Sequence, residues 1–384
     1  FSARSKQKFC LSYWAAKRQA MSDSGESSNK RPRLEESGHT DQWLPVLDLG
    51  PLLAGEPGAL ERLADDLAKA CSGIGFYFLE NYEALLSESV ITAMLKSVAQ
   101  AHALHQEDKE EWSLNASDSG FMPIGATTRW GSRGRPSLPE HDGVNQAVLF
   151  WGNGPPWVPL EQQLSNLEDN NFLVEEKLPG FRGAVRAYLR AVEQLARAML
   201  PAYALALRQP PDFFEGKFDK PCWALRLNFY PPTEGKEIGI PPHADGDFCT
   251  FLLQDDQPGL SILRADGKWV QAPTRGAHSL LVNSGNTLMR LSNGCFPSTM
   301  HSASCLATGS AAQPRMSLPF FWSPSVDTVI EPLSAFISAE RPAQFDAKHS
   351  GNVYSSGRVG HQEKHDIERA DSRAETYVHP VPKL

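Results

Sequence analysis

Between Cys222 and Trp322 the chain breaks into short apolar or alternating runs, and this rhythm restricts its fold more than any other feature. The runs are Cys222–Tyr230, Phe248–Gln254, Leu260–Leu263, Ser279–Val282, Thr287–Leu291, Met300–Leu306 and Arg315–Trp322, with Gly, Pro or Asn in nearly every gap. Parallel strands need long crossovers, whereas gaps this short suit antiparallel pairing. Closely spaced strands of this kind predict a sandwich or barrel, and a double-sheet jelly roll is the natural candidate.

The preceding part has a different period. Leu44–Leu49 reads as a strand closed by Gly50-Pro51, and Ile74–Leu79 reads as a second strand. Helices are predicted from Gly58 to Ser72, from Ala84 to His105 and from Phe181 to Arg208, where apolar residues recur every three or four positions. Pro201 is expected to kink or break the last of these. Asn115–Pro159 is irregular, rich in Gly and Pro, and too long to be a mere connector. The predicted fold class is therefore mainly β with flanking helices: a jelly-roll core with an N-terminal α/β region packed on it. The expected boundaries are a tail over 1–43, the N-terminal region over 44–215, the core over 216–325 and a C-terminal extension over 326–384.

With 37 basic and 45 acidic residues the formal charge is −8, which argues against broad binding to nucleic acid or anionic lipid and favours a small-molecule ligand. No window reaches the roughly 18 apolar residues of a membrane-spanning helix. The six cysteines are scattered without a CxxC pair, as expected for buried small hydrophobes in a reducing compartment such as the cytoplasm. A monomer is the expected state. Residues 1–20 carry Arg4, Lys6, Lys8, Lys17 and Arg18 and no acid, the bias of an organelle transit peptide, although translation could begin at Met21. Ser22–Gln42 is polar, and its Lys30-Arg31-Pro32-Arg33 reads as a nuclear address or a solvated tail. The tail is expected to be dispensable for chemistry. His102 and His105 read as a solvated helix face, and Arg129, Arg133 and Arg135 as a solvated loop that could attract an acidic substrate.

The candidate chemistry lies in the β-rich half. His243-Ala-Asp245 puts an imidazole and a carboxylate on one side of an extended chain, and His301 supplies a second imidazole much later. Two His and one carboxylate on one face of iron leave other positions open, as non-haem Fe(II) oxygenases require. Arg315 and Ser317 share a strand face, where a guanidinium fork and a hydroxyl make a carboxylate clamp. Asn228 and Tyr230 in Asn228-Phe-Tyr230-Pro-Pro232 also share a face, and the Tyr230 phenol can add a donor. A single HxD is weak; the order NxYPP, HxD, H, RxS is far more specific.

On these motifs the chain resembles the isopenicillin N synthase-like branch of the Fe(II)- and 2-oxoglutarate-dependent dioxygenases, from Leu44 to about Trp322. Leu44–Leu49 is similar to the family's opening strand, Ala70–Phe76 to its helix end and second strand, and Phe121-Met-Pro-Ile-Gly125 to a segment bordering the substrate pocket. Gly294–His301 resembles the approach to the distal His ligand. Ser302 stands where the family usually has Arg, Asn286 replaces an acid, Asn81-Tyr82 replaces Asn-His-Gly, and Ala307–Ala312 lengthens a hairpin.

The resemblance implies a distorted double-stranded β-helix with Fe(II) on His243, Asp245 and His301. It implies 2-oxoglutarate as co-substrate, its far carboxylate on Arg315, Ser317 and Tyr230 with Asn228 beside them, O2 as oxidant and ascorbate as an optional reductant. Phe121 and Phe321 are expected to border the substrate. The implied reaction oxidises, most simply hydroxylates, a small organic molecule while 2-oxoglutarate is decarboxylated to succinate and CO2. Two alternatives stay open: a relative that dispenses with 2-oxoglutarate, as isopenicillin N synthase does, and a metal-binding module without turnover.

Overall fold

Strand alternation between Cys222 and Trp322 does produce a two-sheet sandwich, but its larger sheet recruits strands from the N-terminal region as well. The computed structural model describes residues 43–115, 119–124, 144–152, 170–232, 239–276, 279–304, 313–351 and 353. The strands are β1 (Val46–Asp48), β2 (Phe76–Glu80), β3 (Gly120–Met122), β4 (Gln146–Gly152), β5 (Cys222–Tyr230), β6 (Ile240–His243) and β7 (Cys249–Gln254). They continue with β8 (Leu260–Leu263), β9 (Trp269–Gln271), β10 (Leu280–Ser284), β11 (His301–Ala303) and β12 (Arg315–Ser323), and β13 (Val329–Ile330) pairs with β14 (Lys348–His349). The large sheet has the order β1-β2-β10-β7-β12-β5-β4-β3 and the small one β6-β11-β8-β9. Among the described strands only β1 and β2 pair in parallel, and they are joined through the two helices between them.

The helices are α1 (Gly50–Leu53), α2 (Ala59–Ser72), α3 (Glu88–His102), α4 (Gln106–Glu111), α5 (Phe181–Ala206) and α6 (Asn286–Leu291). The large sheet's outward side chains, among them Tyr77, Val148, Leu225, Leu227, Phe251 and Phe320, join the apolar faces of α2, α3 and α5 in the main core. Burying roughly 20–33 cal/mol of transfer free energy per Å² of apolar surface, this layer anchors the sheet from behind. The opposite face, with Phe76, Phe78, Leu252 and Leu281, meets Leu260 and Ile262 of the small sheet in a second cluster. That leaves the inner ends of β5, β7, β10 and β12 for polar side chains. No helix among the described residues is long and apolar enough to cross a membrane.

Three local expectations are corrected. Thr287–Leu291 is not a strand but most of α6: Met289 N closes a helical turn on Gly285 O, and Leu288 and Leu291, three apart, are its buried apolar residues. Pro201 does not end α5, whose residues Ala202, Tyr203, Ala204 and Ala206 are buried against the sheet beyond it; the Tyr203 hydroxyl meets that of Tyr77 at 2.6 Å. The irregular segment 115–159 contains β3 and β4, the latter seven residues long and paired with β5. His102 is also not on a solvated face. It is buried, with Nε2 2.9 Å from Leu227 O and its ring stacked on Phe229. Cys71, Cys222, Cys249 and Cys295 are buried free thiols, as expected. The tail through residue 42, Gly125, Arg129, Arg133, Arg135, the hairpin residues 307–312, His278, His361 and His365 lie outside the described residues.

Candidate active site

β6 and β11 are neighbours in the small sheet, and their register pairs His243 directly with His301. The two rings lie with centroids 4.3 Å apart, and Phe76 meets His301 edge-on. Each imidazole is oriented from behind: Nδ1 of His243 lies 2.9 Å from Pro241 O and Nδ1 of His301 3.0 Å from Thr299 O. A proton on Nδ1 satisfies those carbonyls and leaves the Nε2 lone pairs facing inward. Asp245, just past β6, brings Oδ1 within 3.6 Å of His243 Nε2 and 3.7 Å of His301 Nε2. Its other oxygen, Oδ2, accepts hydrogen bonds from Thr250 Oγ1 (2.5 Å) on β7 and Asn283 Nδ2 (2.8 Å) on β10. Ligand atoms of the three residues lie within 4.8 Å of one another.

Electrostatics prepare this trio for a cation. Burial, the charge of His301 and that of Arg226 push His243 down to about 4, against the pull of Asp245. Burial works the other way on Asp245, yet the two histidines and the hydrogen bonds from Asn283 and Thr250 hold its carboxyl below the usual range. A neutral His243 imidazole and an ionised carboxylate are the states that ligate a divalent metal at neutral pH. The donor set suits Fe(II), with protein on one side and coordination positions left over.

The residues expected to clamp a carboxylate meet on the β5–β12 ladder. Arg315 pairs with Tyr230 and Ser317 with Asn228. Arg315 is 0% exposed, and its guanidinium lies over the Tyr230 ring, 4.9 Å from the centroid. Nη2 donates to Gln254 Oε1 at 3.2 Å, while Nε and Nη1 are buried without a hydrogen-bond partner. Ser317 Oγ lies 3.4 Å from both the Tyr230 hydroxyl and Asn228 Nδ2, and Asn228 in turn accepts from Asn145 Nδ2. Two orphan donors of one fork, a hydroxyl and a phenol fit a carboxylate.

Both constellations line one cavity. Phe321 lines it as well, so the alternation Arg315, Ser317, Pro319, Phe321 runs through the proline unbroken. Phe121 does not: its ring is in the main core behind the sheet, with Lys109 Nζ 5.6 Å from its centroid. Successive strand residues face opposite ways, so Met122 is the one on the inner side, clustered with Leu149, Trp151 and Ala224 against Phe321. Arg226, Thr250 and Asn283 also line the cavity and were not singled out from the sequence. Arg226 was within reach of the same reasoning, since it shares the strand face of Asn228 and Tyr230. Thr250 and Asn283 carry no sequence signal of their own.

Family comparisons bear on this geometry. Residues 221–324 match the model of the 2OG-Fe(II) oxygenase superfamily, and residues 44–143 match that described as non-haem dioxygenase in morphine synthesis N-terminal. Oxoglutarate-dependent flavonoid 7-O-demethylase 1 of Ocimum basilicum is 30% identical over 308 residues, covering 79% of this chain and 74% of that protein. The chain belongs to the 2OG-Fe(II) oxygenase superfamily. Isopenicillin N synthase of Streptomyces griseus is 27% identical to this oxygenase, over 76% of this chain and 87% of that one. A full-length Neurospora crassa protein, solved in complex with alpha-KG and thymine, shares the oxygenase fold with a TM-score of 0.67 at 19% identity, covering 83% of this chain and 96% of that one.

Proposed function

We propose that this oxygenase binds Fe(II) through His243, Asp245 and His301 and uses 2-oxoglutarate, held by Arg315, to oxidise a small organic substrate, most simply by hydroxylation. The observation that carries this reading is the pair of buried, unpartnered donors on Arg315 in the same cavity as the His-Asp-His cluster. Bound together, Fe(II) and 2-oxoglutarate would supply the activation of O2, with succinate and CO2 as co-products.

The chain's own part is orientation and exclusion of water. Pro241 O and Thr299 O fix the two imidazoles, while Thr250 and Asn283 hold Asp245 Oδ2 so that Oδ1 faces inward. Arg315 would grip the distal carboxylate, with Ser317 and Tyr230 adding hydroxyl donors and Asn228 orienting Ser317. Phe321, Leu252 and Pro319 give the cavity an apolar side on which a substrate would rest.

Aerobic incubation with Fe(II), 2-oxoglutarate and a metabolite library, read by mass spectrometry, tests the reading. Substrate-dependent succinate and a product heavier by one oxygen are expected. Oxygen uptake without succinate would instead favour a relative like isopenicillin N synthase, with Arg315 holding the substrate's own carboxylate. Iron binding with no substrate-dependent oxygen uptake would favour a non-catalytic metal-binding module.

A further inference from the structure

One face of β7 reaches both ends of the cavity. Thr250, Leu252 and Gln254 alternate toward the inside, while Cys249, Phe251 and Leu253, facing the other way, join the main core. Thr250 Oγ1 donates to Asp245 Oδ2, and Leu252 lines the cavity. Gln254, four residues or roughly 13 Å of strand beyond Thr250, accepts a hydrogen bond from Arg315 Nη2 at 3.2 Å. A single strand thus fixes the spacing between the metal cluster and the clamp.

Gln254 is 2% exposed and pairs with Ser317 on β12, which puts it diagonal to Arg315 and within reach of a long side chain. An arginine has no acceptor, so the amide has to present its oxygen to the guanidinium. That contact tethers one arm of the fork and leaves Nε and Nη1, the two buried donors without a partner, to be met by an anion. It also leaves the positive charge uncancelled, because an amide is neutral. Asp255, next along the chain, is committed to backbone: Oδ2 accepts from Met316 N at 2.5 Å and Oδ1 from Gln257 N at 3.1 Å. Among the described residues Arg315 makes no ion pair.

We propose that Gln254 is the positioning residue of the co-substrate clamp: it fixes the reach of Arg315 to a five-carbon diacid and, being neutral, keeps the guanidinium charge for the incoming carboxylate. This rests on the reading of Arg315 as the 2-oxoglutarate anchor. A glutamate in place of Gln254 would supply the anion from within the fold, and a buried carboxylate on the fork would compete with the ligand. A methionine would keep the bulk and remove the acceptor, and the guanidinium would lose its tether.

The test is anaerobic calorimetric titration of the full chain loaded with Mn(II), using 2-oxoglutarate and 2-oxoadipate, which is one methylene longer. The unmodified protein is expected to favour the shorter diacid about tenfold or more, the scale of one methylene in a fitted site. Gln254→Glu should weaken 2-oxoglutarate about tenfold or more, and Gln254→Met should narrow the preference between the two diacids. Mn(II) affinity should stay unchanged in both variants, because Thr250 holds Asp245 at the other end of β7, whereas a general loss of structure would lower it too. Either variant decides on its own, so failure of one to fold leaves the test intact. The proposal is overturned if Gln254→Glu binds 2-oxoglutarate as the unmodified protein does, if Gln254→Met keeps the full preference, or if Mn(II) affinity falls in step with that for the diacids. It is equally overturned if the unmodified protein binds both diacids alike, a comparison that needs no variant. Failure of the unmodified, Mn(II)-loaded protein to bind 2-oxoglutarate at all would remove the co-substrate reading and this proposal together.

Discussion

Arg315 is fully buried yet keeps Nε and Nη1 without partners, an arrangement that costs stability until an anion completes it. A lysine at this position would offer a point charge instead of a planar fork. Arg315→Lys should therefore weaken 2-oxoglutarate binding by roughly 1.5–3 kcal/mol, the scale of a hydrogen bond to a charged group. Calorimetry on Mn(II)-loaded protein measures this, and an unchanged affinity would remove Arg315 from the clamp. The guanidinium is also held in place by what is missing beside it. A Cβ on Gly259 would lie 1.9 Å from Ser304 O and 2.8 Å from Arg315 Cδ. Gly259→Ala is thus expected to displace the arginine or the backbone beside β11, lowering both the unfolding temperature and the 2-oxoglutarate affinity. A variant that keeps both at their original values would show that neither neighbour resists.

Where α3 meets the back of β5, the element contact carries a titratable group. His102 sits at the end of α3, bonded to Leu227 O and stacked on Phe229, and Lys109 Nζ donates to its carbonyl. Burial lowers its pKa from 6.5 to about 4, with the Lys109 charge adding to the effect against the Leu227 hydrogen bond. Between these two values the unfolded chain takes up a proton that the folded one refuses. Stability from this site is therefore intact above pH 6.5, falls as pH drops toward 4 and levels off below it, a loss of about 3 kcal/mol. His102→Gln, which does not titrate, should flatten the acid limb of denaturant-derived stability over this window. If the limb keeps its slope, the histidine is not its source.

Taken whole, the molecule uses its two sheets as jaws. His243 and His301 come from the small sheet, whereas Thr250 and Asn283, which hold Asp245, come from the large one. The Arg315 clamp is wholly on the large sheet. A divalent ion and then 2-oxoglutarate should accordingly tie the sheets together, and any ligand selective for the folded state adds about 2.7 kcal/mol at a hundred times its Kd. Mn(II) is expected to raise the unfolding temperature, 2-oxoglutarate to raise it further only when metal is present, and a chelator to reverse both. Thermal denaturation followed by circular dichroism gives the answer, and metal-independent stabilisation by 2-oxoglutarate would contradict the shared cavity.

The sequence by itself made the β-rich half and two local pairs legible, because i and i+2 on an extended chain put His243 with Asp245 and Arg315 with Ser317 on shared faces; His301 joins its pair only through the β6–β11 register. Even Pro319, the one residue able to disturb that alternation, left Phe321 on the expected face. Local spacing also had clear limits. It placed Phe121 in the pocket when Met122 faces inward, since a shift of one residue reverses every side chain of a strand. It read Thr287–Leu291 as a strand because so few residues fit either period, and packing of Leu288 and Leu291 decided for helix. It set His102 in water, although only the approach of β5 reveals what covers α3. Thr250 and Asn283 belong to the same class. Their roles depend on which strand lies beside which, and strand order is fixed by burial across the whole sheet rather than by neighbours in the chain.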